Sequence, residues 1–441
     1  MAKKTKDSNL SIEERLEQAL IPNWDEPYEL PKNWCWSKLG TVCSLENGDK
    51  YNKDKLVYFD AKTLRKIKEP QTRNSGIVVN ANQKVILVDG ENSGEVFVVP
   101  YRGYMGSTFK ILNISQSVDE MYVRYFIDYN HDNLRKNKIG SAIPHLNKDM
   151  FFGLELPLPP AMEQQRIVAR IESLFAKLDE AKEKAQEVID GFETRKAAIL
   201  YKAFSGELTA RWRNENDIPR EGWQHVKLGY LLKEIKYGTS EKSHYSFSGV
   251  PVLRIPNIGE MELIFDDVKY LQRESCTTNE YLKENDILII RSNGSKDLVG
   301  KCALVRKLDR EYTYASFLIR LRAVEDVSVE YIVWYLNSED ARRQLFSKAK
   351  SSAGIHNINS KEIADIDIMI PDVSEQNAIV GLISNFIEKE KQVREAAETV
   401  IEQISTMKKA ILARAFRGEL GTNDPSEESA LELLNRVLES K

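Results

Sequence analysis

The chain is poor in cysteine and histidine and has no long apolar run. Its four cysteines, Cys35, Cys43, Cys276 and Cys302, form no C-x-x-C pair. That excludes a disulfide framework and a thiolate zinc site, and the residues read as reduced thiols in a cytoplasmic protein. The five histidines, His131, His145, His225, His244 and His356, are scattered without H-x-x-x-H spacing, so metal ligation is not expected. No stretch of 18 apolar residues exists to cross a membrane. The opening M-A-K-K-T-K-D-S-N-L lacks the apolar core of a secretory signal. An excess of positive charge is missing too: 63 Lys and Arg stand against 67 Asp and Glu, a net charge of −4. This balance speaks against a uniformly basic nucleic-acid binder. Its distribution softens the point, because residues 30–157 carry 18 basic against 14 acidic side chains and the acidity lies outside the two large segments.

Catalytic constellations are also lacking. Neither [DNS]-P-P-[YF] nor F-x-G-x-G occurs, so the catalytic motif and methyl-donor loop of an amino-methyltransferase are not encoded. G-S-K-D-L-V-G-K-C at 294–302 approaches a phosphate loop but is one residue too long. It also ends in Cys302 where Ser or Thr would meet magnesium. The P-D at 371–372 has no E-x-K strand beside it to make a nuclease site. These absences favour a recognition and assembly protein over a standalone methyltransferase or nuclease.

What the chain does have is a long internal repeat. Residues 159–208 open P-P-A-M-E-Q-Q-R-I-V and close K-A-A-I-L-Y-K-A-F-S-G-E-L. Residues 371–420 open P-D-V-S-E-Q-N-A-I-V and close K-K-A-I-L-A-R-A-F-R-G-E-L. A constant offset of 212 aligns Glu163 with Glu375, Phe204 with Phe416 and Gly206 with Gly418. A repeat this long means two half-molecules rather than a solenoid. Each copy carries apolar residues in 4-3-4-3 spacing. The first runs Ile167, Ile171, Leu174, Leu178, Ala181, Ala185, Val188, Phe192, Arg195, Ile199. The second runs Ile379, Ile383, Phe386, Glu390, Val393, Ala397, Val400, Ile404, Met407, Ile411. Such spacing predicts two long helices, each a rod of roughly 65–70 Å, packed as a coiled coil. Proline at the start and Gly206 or Gly418 at the end are the residue types favoured there. Each seam holds one charged intruder, and an antiparallel register brings Arg195 to Glu390 and Leu178 to Met407.

The rest of the chain falls around these helices. Residues 1–28 are a tail with a short helix capped by Ser11 and Glu14. Residues 29–158 and 214–370 are two mixed domains, 159–213 and 371–420 the helical regions, and 421–441 a tail with a second short helix over 426–438. Both domains open on a proline and a tryptophan, Pro31/Trp34 and Pro219/Trp223, ahead of K-L-G. Strand-like runs 76–80, 85–89 and 96–100 recur as 252–255, 286–291 and 303–305. Helices over 119–129 and 328–337 follow, their aromatics read as core. Between the shared frames the sequences are nearly unrelated, which points to one scaffold carrying two different surfaces.

The P-L-P-P-x-x-E-Q-Q-R-I-V opening, the K-A-A-I-L-Y-K-A-F-S-G-E-L-T-A-R-W-R close and their second copy resemble the specificity subunit of type I restriction–modification enzymes. The resemblance spans nearly the whole chain and is strongest at the helices. It implies an α+β fold with two similar target recognition domains separated by two long helices in an antiparallel coiled coil, related by an internal pseudo-twofold repeat. It also implies a non-catalytic DNA-sequence reader. Double-stranded DNA, two methylation subunits and the restriction subunits would be its partners. S-adenosylmethionine, ATP and magnesium would sit on those partners and no cofactor on this chain. Donor-bearing loop residues are the candidates for DNA contact: Lys62, Arg65, Lys66, Arg73, Arg102, Tyr104, Lys138 and Ser141 in the first domain, and Arg291, Asn293, Ser295, Lys296, Tyr314, Lys350, Ser352 and His356 in the second. The repeated helix ends supply candidates for the subunit interface: Glu163, Gln164, Phe204, Glu207, Glu375, Gln376, Phe416 and Glu419. A coiled-coil scaffold binding only proteins is the remaining alternative, and two divergent inserts on duplicated frames speak against it.

Overall fold

The computed structural model describes residues 11–140, 144–245, 249–276, 280–348, 350–352 and 355–440. The chain divides into two units, Met1–Ala185 with Thr399–Lys441, and Gln186–Glu398.

Among the described residues the first unit contains three sheets. Cys35–Lys38 pairs antiparallel with Glu155–Leu158. Four strands run in the order Cys43–Glu46, Phe109–Ile114, Lys84–Leu87, Val96–Val98. Five short strands run in the order Lys50–Tyr51, Gly76–Val79, Gly103–Met105, Leu56–Phe59, Gln71–Arg73, with Leu56–Phe59 and Gly103–Met105 parallel. The second unit repeats this plan. Gln224–Lys227 pairs with Asp367–Ile370, and the four-stranded sheet runs Leu232–Tyr237, Leu318–Ala323, Asp286–Ile290, Cys302–Leu304. A third sheet sets Val250–Leu253 between Lys269–Leu271 and a parallel Thr313–Tyr314. Its counterpart of Val250–Leu253 is therefore Leu56–Phe59. This corrects the match of 76–80 with 252–255, which rested on apolar runs alone. The matches of 85–89 with 286–291 and of 96–100 with 303–305 stand.

Asp286–Ile290 is buried along its whole length, as expected of a central strand between two neighbours. Its one charge is neutralised: both oxygens of Asp286 accept from Arg322 at 2.6 and 2.7 Å, while Arg320 and Arg322 each donate to Glu234 at 2.8 Å. Buried charges persist only when paired in this way.

The first long helix is Ala161–Asp190 followed by Phe192–Phe204, and the second is the unbroken Val373–Phe416. Both stop where Gly206 and Gly418 turn left-handed, at φ +80° and +71°. Asp372 of the P-D pair caps the second helix, its Oδ1 accepting from the Glu375 amide at 3.0 Å. Gly191 separates the two segments of the first helix, and no side chain fits there without a shift of Arg195. A Cβ there would lie 2.4 Å from Arg195 Nη1, because Arg195 folds back to donate to the Val188 carbonyl at 2.8 Å. Arg195 also grips Glu390 with Nε at 2.9 Å and Nη2 at 2.7 Å, the pairing expected of the antiparallel register. Within the second unit the helix segments are antiparallel, since Thr209 and Arg213 meet Glu375 while Arg195 meets Glu390. Within the first unit Asp179 meets Lys408 at 2.5 Å, one position along from Leu178 and Met407, while Glu163 meets Thr422.

The seam is narrower than the spacing predicts on the second helix. Ala397 and Ile404 are buried, but Val393, Val400 and Met407 are 47, 40 and 48% exposed. From Val393 onward the row of Ala397 and Ile404 faces inward and the interleaved row looks out, whereas Ile379 and Ile383 at the start of the helix are both buried.

The first and last described helices lie in the first unit. The capping box of Ser11 and Glu14 forms, and Ile12–Ala19 packs against Ala430–Glu439. The latter helix starts four residues later than 426–438 suggests. Asp424 takes the amide and hydroxyl of Ser426 into a turn, and Ser429 caps the helix instead.

Candidate nucleic-acid interface

The repeated Glu-Gln pair at the start of each long helix fixes the domain beside it. Gln164 Oε1 accepts from the Asp119 amide at 2.7 Å and its Nε2 donates to the Pro159 carbonyl at 2.8 Å. Gln376 does the same with the Ser328 amide at 2.9 Å and the Pro371 carbonyl at 2.8 Å. Glu163 accepts from Thr422 and Arg166, and Glu375 from Thr209, Arg213 and Trp223. All four side chains are at most 1% exposed. At the other helix end Phe416 stacks edge-on to Tyr122 and Phe126, and Phe204 edge-on to Tyr331 and Tyr335. Glu163, Gln164, Glu375, Gln376 and Phe416 are thus corrected from interface candidates to internal fastenings, whereas the Phe204 ring stays partly exposed. Glu207 and Glu419 remain exposed. The aromatic matches at 122, 126, 331 and 335 are core, as expected, and burial pushes the Tyr122 and Tyr331 hydroxyls well above their usual range.

These fastenings hold the sheets whose edges carry the DNA candidates. In the first unit Arg73, exposed on the edge strand Gln71–Arg73, lies 3.4 Å from the ring centroid of Tyr58. Arg102 is exposed above Tyr51 at 5.5 Å. A planar cation stacked on an aromatic ring keeps its donors outward at little entropic cost. Lys62 and Lys66 are exposed around the short helix Ala61–Leu64. Arg65 is committed to Glu95 through Nε at 3.1 Å to each oxygen, a hydrogen bond that raises the guanidinium's already high pKa. Lys138 is likewise committed to Glu91 at 2.7 Å, and holds that carboxyl below the usual range. Tyr104 is fully buried with its hydroxyl on the Asp54 carbonyl, and Tyr314 is buried with its hydroxyl on the Lys236 carbonyl. Both are corrected from contact residues to core. Aromatic residues inside short strands read alike in sequence whether they face the sheet interior or the solvent.

In the second unit three candidates come together. Ser292–Asn293, Ile355–Asn357 and Lys350–Ser352 form one small antiparallel sheet in which Asn293 stands opposite His356. Arg291 immediately precedes it, stacked on the exposed Tyr237 at 4.7 Å, with Nε directed to Asn357 Oδ1 at 3.3 Å. Asn293 turns the loop by accepting from the Ser295 amide at 2.7 Å. Ser295 and Lys296 are exposed, Lys296 over Phe346 at 5.0 Å. Ser141 lies outside the described residues, as do the side chains of Lys350 and Ser352.

Sequence reasoning missed Tyr58, Tyr51 and Tyr237 as platforms, and the Asp89–His145 pair, whose Oδ1 and Nδ1 lie 2.7 Å apart. Tyr237 and Arg291 are 54 positions apart, and no local pattern joins them. His145 is one of five scattered histidines in the sequence, and Asp89 lies 56 positions from it.

Among the described residues no group of three or more His, Cys, Asp and Glu is placed to hold a metal ion. Burial pushes the Cys35 and Cys302 thiols up to about 12, far from a reactive thiolate. Among the described residues no helix is long and apolar enough to cross a membrane. Stacked cations, amides and hydroxyls at sheet edges are suited to hydrogen-bonding base edges and phosphates.

Comparison with known proteins agrees. A family described as "Type I restriction modification DNA specificity domain" matches residues 31–189 and again 220–403. The type I restriction enzyme EcoKI specificity subunit of Escherichia coli K12 is 26% identical over 89% of this chain and 90% of its own length. The MjaVIII specificity subunit of Methanocaldococcus jannaschii is 27% identical over 79% of this chain and 81% of its own. The fold is shared with a chain solved in work on assembly and conformational transition of the type I R-M system, with TM-score 0.64, 19% identity, and coverage of 89% of this chain and 100% of that one. The HsdS subunit of Thermoanaerobacter tengcongensis has the same fold, with TM-score 0.58, 20% identity, and coverage of 90% and 99%.

Proposed function

The chain belongs to the family of type I restriction–modification DNA specificity subunits, and from that premise we propose that each of its units reads one half of a bipartite, asymmetric DNA site. The observation that carries this reading is the contrast within the repeat. Two units share sheet order and helix fastenings but present different polar side chains at their exposed sheet edges. A shared frame supplies the same position on DNA, and different side chains select different bases. The chain performs no methyl transfer or cleavage. Methylation subunits, two in number, and restriction subunits supply those, together with S-adenosylmethionine, ATP and magnesium, in the cytoplasm. Exposed Glu207 and Glu419 and the outward row Val393, Val400 and Met407 are surfaces on which such subunits can dock.

The antiparallel helix segments in each unit support a second role, that of fixing the gap between half-sites. The test is genome-wide methylation mapping in cells with and without this chain. A single bipartite motif should disappear with it. Inserting one heptad in residues 181–192 together with its partner stretch should lengthen the gap and leave both half-sites intact. Maps that do not change on deletion would overturn the function. A gap that does not change on insertion would overturn the spacing role alone.

A further inference from the structure

We propose that both units read a base from one shared place in the frame, the small ladder beside the end of the central strand, and that its side chains make the two half-sites differ: Asp89 with His145 in the first unit, Arg291 in the second. This rests on the DNA-reading role above.

Backbone hydrogen bonds establish the equivalence. In the first unit the Val88 amide donates to the Thr108 carbonyl, and the Leu146 amide to the Val88 carbonyl, both at 2.8 Å. In the second the Arg291 amide donates to the Phe317 carbonyl at 3.0 Å, and the Ile358 amide to the Arg291 carbonyl at 2.8 Å. Val88 therefore occupies the place of Arg291, and Leu146 that of Ile358. The next rungs follow. Asp89 bridges to His145, and His145 to Ile139. Ser292 pairs with Asn357, and Asn357 with Lys350. The backbone ladder is the same in both units, yet every side chain on it differs. A ladder serving only to close the sheet needs its backbone bonds, which any residue supplies. It does not need a carboxylate–imidazole pair in one copy and a stacked guanidinium in the other.

The chemistry of each ladder is specific. In the first unit Asp89 and His145 are 30 and 50% exposed. They line an open cleft of about 430 Å³ that also presents Ser107 and Lys148. An acceptor-rich carboxylate at a groove suits a base with an exocyclic amine, and Lys148 and Ser107 suit the adjoining phosphate. In the second unit Arg291 is held flat on Tyr237, with Nε directed to Asn357 and Nη1 to the Ser316 carbonyl at 3.5 Å. Among the described residues no acceptor takes Nη2. A guanidinium fixed in plane with an outer edge available is the usual partner of the O6 and N7 of guanine. The first half-site should thus contain a cytosine or adenine read by Asp89, and the second a guanine read by Arg291.

The experiment uses the full chain assembled with its methylation subunits and reads the methylated motif by whole-genome sequencing. Arg291→Ala should relax one guanine of one half-site, with discrimination there falling about 10- to 100-fold, and leave the other half-site unchanged. The double substitution D89S/H145N writes the second unit's rung residues into the first without altering the backbone ladder. It should relax one cytosine or adenine position in the other half-site only. Methylation at the original motif by both variants shows that they fold. If both then retain full discrimination at every position, the inference is overturned while the DNA-reading role survives. If the unaltered complex methylates no bipartite motif, both fall.

Discussion

The two buried glutamates that begin the long helices occupy the same repeat position and are satisfied by different means. Glu375 is enclosed by Thr209 at 2.6 Å, Arg213 at 2.5 Å and the Trp223 indole at 2.9 Å, and Arg213 itself is only 7% exposed. Glu163 is served by Thr422 at 2.8 Å and by Arg166 at 2.9 Å, but Arg166 is 38% exposed and holds Glu427 as well. Trp34, the counterpart of the half-buried Trp223, is buried. The adjacent glutamines make identical bonds in both units. A duplicated frame preserves the amide-to-backbone clasp, which depends only on shared backbone, while the carboxylate takes its cation from the segment after the long helix in one unit, Arg213, and from its own helix in the other, Arg166.

The largest effect should come from breaking the more enclosed clasp. Glu375→Ala strands Arg213 in the interior and should cost about 3–5 kcal/mol, measured as loss of amide-exchange protection confined to residues 186–398. Phe416→Ala removes a fully buried ring and should cost about 3–5 kcal/mol in the first unit. Phe204→Ala, whose ring is partly exposed, should cost less in the second. Glu163→Ala should be milder than Glu375→Ala, about 2 kcal/mol, because Arg166 keeps Glu427. Equal losses from both glutamate variants would show that the partners do not set the difference. Gln164→Ala and Gln376→Ala should match one another at about 1–3 kcal/mol, each leaving a helix-cap amide unsatisfied. The smallest effect belongs to Arg195 and Glu390, which are partly solvated. Either single alanine should cost about 1 kcal/mol or less, and the exchange R195E/E390R should recover part of the single charge reversals in a double-mutant cycle.

Much of this was legible in the chain itself. The 212-residue offset revealed two units, and the charged intruders in the seams identified Arg195 and Glu390 as partners, because a buried charge needs a counter-charge. The Glu-Gln pairs were misread. A polar pair in the first turn of a helix resembles a solvent-facing start, and what buries it is remote: the Asp119 amide 45 positions away and Thr422 259 positions away. Heptad spacing also marks Val393, Val400 and Met407 as inward, whereas over that stretch of the second helix only the row of Ala397 and Ile404 is covered. Spacing defines a stripe but not how much of it a single partner helix covers. The ladder at Asp89 and Arg291 was unreadable for a third reason, since the two copies have no side chain in common there and only backbone pairing relates them.

The division of the chain has a consequence for biosynthesis. The second unit is continuous from Gln186 to Glu398, whereas the first joins the opening 185 residues to the last 43. Its core counts Leu412, Phe416, Leu433, Leu434 and Val437 beside Trp34, Tyr122 and Ile167. The part made first therefore finishes last. At translation rates of about 5–20 residues per second, the ribosome holds an opening segment with an unfilled apolar face for the whole time the second unit is being made, and for a few seconds more. Premature termination near residue 400 should leave a sound second unit tethered to a sticky, protease-sensitive first one, so that faulty messages yield degraded chains rather than readers of half a site.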